Sequence, residues 1–202
     1  MSEVTVSIHN HHERLLRNLR EQSAAFVAEP SADNGARLLT LLREDLLPHA
    51  EGEERALYPL IDRILRTARN GRATETMSVD HEFITEYVDW IGAALHSLPE
   101  SSGMQRDLLL SQLRRYLVQL EAVLNLHLEK EERIFLPMIE RHLSLAEQQR
   151  MMAAMHGTPG AAGADTGARL RRILPRAAGK QAVARNKGGR RAAPGRNRRP
   201  RR

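Results

Sequence analysis

Residues 49–60 read HAEGEERALYPL, and residues 127–138 read HLEKEERIFLPM. Each segment sets a glutamate four residues after a histidine: Glu53 after His49, Glu131 after His127. On a helix, residues four apart share one face and lie about 6 Å apart along the axis. Both side chains of a pair can therefore reach one centre. Two further histidines, His12 and His81, are each followed by a glutamate. Imidazole with carboxylate and no sulfur is the donor set of iron, zinc, manganese or nickel sites. The chain has no cysteine, which excludes disulfides, thiolate metal sites and cysteine nucleophiles.

The two segments belong to a longer repeat. HAEGEERALYPLIDRIL laid over HLEKEERIFLPMIERHL is identical at nine of 17 positions. His81-Glu82 likewise echoes His12-Glu13, with aliphatic residues three and seven places on in both. The chain reads H…HxxxE twice, one set per half. Two equivalent helix pairs put two equivalent half-sites about a pseudo-twofold axis, and two half-sites suit two metal ions.

The elements that must hold these residues are helices. Apolar positions recur in steps of three and four, β-branched residues are sparse, and no run alternates with period two. Long helices are expected at about 6–28, 34–68, 75–98 and 104–142. Breaks fall at Pro30, at the RNGR turn, and at Pro99 with the SSG loop. Ser144 and Glu147 form a capping-box pattern ahead of MMAAM, so a short fifth helix follows. The fold class is all-α: an up-down-up-down four-helix bundle with a short extra C-terminal helix. The expected core seams are Ile8–His12–Leu15–Leu19–Phe26, Leu42–Leu46–His49–Glu53–Leu57–Leu60, Met77–His81–Ile84–Val88–Ile91–Leu95 and Leu113–Leu120–Leu124–His127–Glu131–Phe135–Met138. Six polar residues interrupt these apolar stripes: His12, His49, Glu53, His81, His127 and Glu131. A buried ionisable group without a partner costs several kcal/mol, and a shared metal ion relieves all six at once.

HxxxEER…LYPLI and HxxxEERIFLPMI, each with its proline, resemble the hemerythrin-like family, the HHE cation-binding domain, over about residues 5–145. The resemblance implies a four-helix bundle around a non-haem di-iron centre. By matching positions it implies His12, His49, Glu53, His81, His127 and Glu131 as ligands, with Glu53 and Glu131 bridging two iron ions. Oxygen-carrying members place a second histidine four after the third-helix histidine and an aspartate five after the fourth-helix histidine. Here those features are Thr85 and, at four, Glu131. One nitrogen ligand is missing, which argues against a simple reversible oxygen carrier. Tyr58 could supply a phenolate only if Pro59 distorts the helix, because regular helical phase turns it away from the His/Glu face. His12 lies on the first seam and His11 about 100° from it, so His12 is the expected ligand. His9, His96, His142 and His156 lie off the pattern. Glu51, Glu54, Glu129 and Glu132 repeat as well and are expected to be solvated or to stand behind the ligands.

Charge divides the chain. Residues 157–202 hold 14 Lys/Arg and one acid, a charge of +13, whereas the preceding 156 residues carry −7. The two domains expected are a bundle at 1–156 and a disordered Arg/Gly/Ala/Pro-rich tail at 157–202, with at most a helical turn near Leu170–Leu174. The tail suits non-specific contact with nucleic acid or an acidic partner; it has no aromatic residue to stack on bases. The N-terminus lacks a signal-peptide core and no run spans a membrane, so a cytoplasmic protein is expected. The functional expectation is a di-iron protein that binds or reacts with O2, hydrogen peroxide or NO in redox response or sensing. Turnover of peroxide or NO fits that chemistry. The alternatives are an iron-binding regulatory module without turnover, associated with nucleic acid through the tail, and a purely structural bundle.

Overall fold

The computed structural model describes residues 1–65 and 74–157. The RNGR turn and the basic tail with its expected helical turn lie outside the described residues. The described residues are helical, with no strand among them. α1 spans Glu3–Ala28, α2 spans 32–65, α3 spans Glu75–Ser97, α4 spans 103–142 and α5 spans Leu145–His156. α1 begins three residues before its expected start, because the Ser2 side chain accepts the Thr5 N–H and caps it there. α5 starts on the expected capping box, with Ser144 and Glu147 each capping the other's backbone N–H.

α2 and α4 are not regular. In α2, π-turns at Leu41–Leu46 and Glu53–Leu57 interrupt the α-helix, and α4 carries one at Glu131–Phe135. Each turn ends two residues before a proline: Pro48, Pro59 and Pro137. A proline has no N–H for the carbonyl four residues back, and its ring collides with that carbonyl. The helix widens by one residue instead of kinking. The Leu47, Tyr58 and Leu136 N–H groups then donate five residues back, to Leu42, Glu53 and Glu131. The extra residue moves the buried stripe. Periodicity named Leu60 and Met138, but the fully buried residues are Ile61 and Ile139, one place later.

The core is in two parts. One gathers Leu15, Leu19 and Phe26 with Leu42, Leu46, Ile84, Val88, Leu120 and Leu124. The other gathers Val4, Ile8, Leu57, Ile61, Met77, Phe135, Ile139 and Met155. His12, Glu53, His81, His127 and Glu131 are buried between the two. Apolar packing above and below thus seals the polar layer from water. Ser2 and Thr5 tie the start of α1 to Glu140 on α4, and Ser2 also donates to Gln148 on α5.

Candidate metal centre

All six polar residues of the stripes converge, in two groups that share one carboxylate. His12, His49, Glu53 and Glu131 offer ligand atoms within 4.8 Å of one another, and so do Glu53, His81 and His127. Oε1 of Glu53 lies 3.6 Å from His12 Nε2 and 2.8 Å from His49 Nε2. Its Oε2 lies 3.2 Å from His81 Nε2 and 3.7 Å from His127 Nε2. Glu131 repeats the pattern, with Oε2 3.5 Å from His12 Nε2 and Oε1 3.8 Å from His127 Nε2. Two donors that share an ion at about 2.0–2.2 Å stand roughly 3–4 Å from each other, which is the observed spacing.

A second observation points the same way. His12 Nε2, His49 Nε2, both oxygens of Glu53 and Oε2 of Glu131 are buried without a hydrogen-bond partner. Buried polar atoms are almost always paired, and the carboxylates here are fully buried. These atoms lie 2.8–3.6 Å apart without hydrogen-bonding one another. The donor set, the spacing and the orphaned atoms fit metal ions, so the cluster is able to bind metal.

Carboxylates behind the imidazoles fix which nitrogen faces inward. Glu132 Oε1 lies 2.7 Å from Nδ1 of His12, Glu54 Oε1 3.0 Å from Nδ1 of His81, and Asp80 Oδ2 3.3 Å from Nδ1 of His127. Each partner receives the Nδ1–H and leaves Nε2 for the centre. Glu132 also meets His9, and Lys130 pairs with Asp80. Glu54 and Glu132 occupy equivalent positions of the repeat, so the duplication extends behind the ligands. The repeated Glu-Glu pair was a signal for both; Asp80 gave none beyond its place next to His81.

Tyr58 is brought into the centre, its hydroxyl donating to Glu131 Oε1 at 3.0 Å and lying 3.3 Å from Nε2 of both His81 and His127. A regular helix would set Tyr58 about 140° from Glu53. The π-turn stacks residue 58 over residue 53 and removes that offset. The equivalent residue of the second repeat is Leu136, so only the His81–His127 side has a phenol. Thr85 spends its hydroxyl on the His81 carbonyl. His11 does not join the group; its ring lies 4.6 Å from that of His49, tilted by 49°. His9 pairs with Glu132 rather than with solvent alone.

The protein groups titrate as one buried set. Burial opposes the His12 cation, but the Glu132 carboxylate, which accepts its Nδ1–H, and the nearby Glu53 carboxylate outweigh it and raise its pKa to about 10. Against the same burial, Glu53 and Glu54 raise His81 to about 9. Glu53 is held well below the carboxylate range: burial pushes it up, but His49, His12 and His127 prevail. Burial and then the Glu53 charge raise Glu131 to about 8. Burial, then Glu53 and Glu131, drive the Tyr58 phenol far up. Without a metal, protons balance the carboxylate charge that a cation would otherwise balance.

No helix of the described residues is long and apolar enough to cross a membrane. No curated protein and no solved structure matches the chain. The family model for the hemerythrin HHE cation-binding domain matches it twice, over residues 1–89 and 72–185. Each match begins upstream of one lone histidine and takes in one set of the repeat. With both halves of the chain matched and a buried His/Glu cluster at their junction, the protein belongs to the hemerythrin HHE cation-binding domain family.

Proposed function

We propose that this protein is a non-haem di-iron protein that binds or reacts with a small ligand, O2, hydrogen peroxide or NO, in redox response or sensing. His12 and His49 would hold one ion and His81 and His127 the other, with Glu53 and Glu131 as the carboxylates shared between them. The carrying observation is the division of Glu53: one oxygen faces the first pair of imidazoles and the other oxygen the second. Tyr58 stands 3.3 Å from His81 and His127 of the second group and 3.0 Å from Glu131, and would be a further ligand or proton donor there. The iron pair, when bound, supplies the redox electrons and the open coordination for the small ligand. Glu132, Glu54 and Asp80 hold His12, His81 and His127 in the ligating tautomer. The two apolar cores exclude water, and the Tyr58 O–H holds a proton beside Glu131.

The test is elemental analysis of protein purified without chelator, a visible spectrum, and the loss of hydrogen peroxide, O2 or NO on mixing. Two irons per chain with consumption of one of these ligands is the expected result. Iron without consumption leaves the alternative, a regulatory module whose +13 tail contacts nucleic acid or an acidic partner. Protein that takes up no metal refutes both.

A further inference from the structure

Three of the four central imidazoles have a carboxylate on Nδ1; His49 has none among the described residues. Instead its ring forms part of the wall of a surface cleft of about 290 Å³. The cleft is also lined by His11, His156, Glu44, Asp45 and Glu51. All three acids are solvent-exposed. The His49 side chain is only 8% exposed, lies 2.8 Å from Glu53 Oε1, and leaves Nε2 without a hydrogen bond. Nε2 of His11, whose ring is tilted against it, is likewise buried and unpartnered. His49 is thus the partition between the outer cleft and the buried centre.

The repeat is broken beside this cleft. Gly52 stands where the second copy has Lys130, which pairs with Asp80 beside His127. A Cβ on Gly52 would lie 2.8 Å from the Met155 carbonyl oxygen, so the glycine lets α5 approach. Arg55, also in the wall, turns its guanidinium to the carbonyls of Ala154, Met155 and Gly157. Its charge caps the C-terminus of α5, which leaves the carboxylates facing the opening.

We infer that this cleft is the route by which a divalent metal ion enters and leaves, with His49 as the last transfer ligand. The ion between His12 and His49 is then the exchangeable one of the pair. The inference rests on the two-ion reading of the centre. Carboxylates at a cleft mouth concentrate cations and speed their capture by 10-fold or more, in a salt-dependent way. An imidazole with no carboxylate behind it also holds its ion less firmly. The ion at His81 and His127 has the better-backed ligand set, since both imidazoles carry a carboxylate on Nδ1.

The full chain, freed of metal, is mixed anaerobically with Co(II) chloride, and uptake is followed by ligand-field absorption. Glu44→Gln, Asp45→Asn and Glu51→Gln are combined in one variant, whose exposed positions leave the core intact. Wild-type uptake is expected to slow with added salt. The variant is expected to load about tenfold more slowly at low salt, to lose the salt dependence, and still to reach two ions. Loaded wild-type protein challenged with EDTA should lose one ion quickly and one slowly, and the variant should change only the fast phase. Equal uptake rates and salt slopes, or one common phase for both ions, would overturn the route while the two-ion centre stands. A variant that stops at fewer ions overturns it too, because the acids would then be ligands. If neither protein takes up Co(II), the centre itself is misread and the route falls with it.

Discussion

Glu53→Ala is the sharpest perturbation of the centre. Glu53 gives one oxygen to each group of imidazoles, so the substitution weakens both ions at once. Loss of a group that merely supports a ligand costs 10–100-fold in metal affinity; loss of the ligand costs at least that. Over two ions this is at least about 3–5.5 kcal/mol of metal-linked stability. For a domain of 150–250 residues, 1 kcal/mol moves Tm by roughly 2–4 °C. Metal-loaded wild type should therefore melt about 6–20 °C above the loaded variant. The metal-free forms behave differently. There the substitution also removes a fully buried carboxylate, and His12 and His81 each lose one of the carboxylates that keep them charged, so they go neutral more readily. The metal-free variant should melt close to the metal-free wild type. Differential scanning calorimetry with and without iron, beside iron analysis, measures both differences. A variant that keeps two irons and the full metal-dependent rise in Tm would refute the shared-carboxylate geometry.

Glu131→Ala should lower metal content and Tm together, and unchanged iron content would remove that acid from the ligand set. Tyr58→Phe keeps the ring volume in a site that is 2% exposed, so iron content should hold while any phenolate charge-transfer band disappears; an unchanged spectrum would leave the phenol a hydrogen-bond donor only. Gly52→Ala sets a methyl 2.8 Å from the Met155 carbonyl and should cost about 1–3 kcal/mol as α5 shifts, read as a lower denaturation midpoint. Metal uptake at pH 7 should release three or more protons, from His12 (about 10), His81 (about 9) and Glu131 (about 8), measured with an indicator in weak buffer. All three pKa values are raised on folding, so the stability these groups give the metal-free protein is present at neutral pH and below and is lost as pH rises. Glu53, Asp80 and Glu132, held low, lose theirs only as pH falls through the carboxylate range. Metal-free stability therefore falls as pH climbs through 8–10, and the rise in Tm on adding metal should grow between pH 6 and 8.

The bundle and the six central residues were legible in the sequence because both rest on one period. Apolar residues at steps of three and four name the core face, and a histidine or glutamate on that face must enter the core with them. His12 over His11 followed from phase alone, and the structure buries His12. The same arithmetic failed at Tyr58, and at Leu60 and Met138, where one residue is added to the turn. Pro59 and Pro137 were visible, but a proline in a long helix reads as a bend. Whether the chain bends or widens is decided by what packs below it, here Ile61 and Ile139 in the lower core. Asp80, Glu54 and Glu132 reach imidazoles on other helices, and contacts between helices have no period in a single chain.

The duplication supplies symmetry, and the departures from it supply direction. Two repeats with the same ligands would make two alike ions, reached and coordinated in the same way. Tyr58 against Leu136 puts a phenol on one side only, and Gly52 against Lys130 lets α5 seat against the other. The first change adds an oxygen donor to the His81–His127 group. The second frames an acidic opening at His49. Both act in one sense: the phenol-bearing half is well backed, and the other half borders a surface cleft at His49. A di-metal centre built this way divides its work, with one ion anchored for coordination chemistry and its neighbour exposed to exchange. Leu136→Tyr, which copies the phenol into the second half, separates the two contributions. If the phenol sets retention, the fast EDTA phase should slow towards the slow one; if the opening at His49 sets it, the two phases should remain apart.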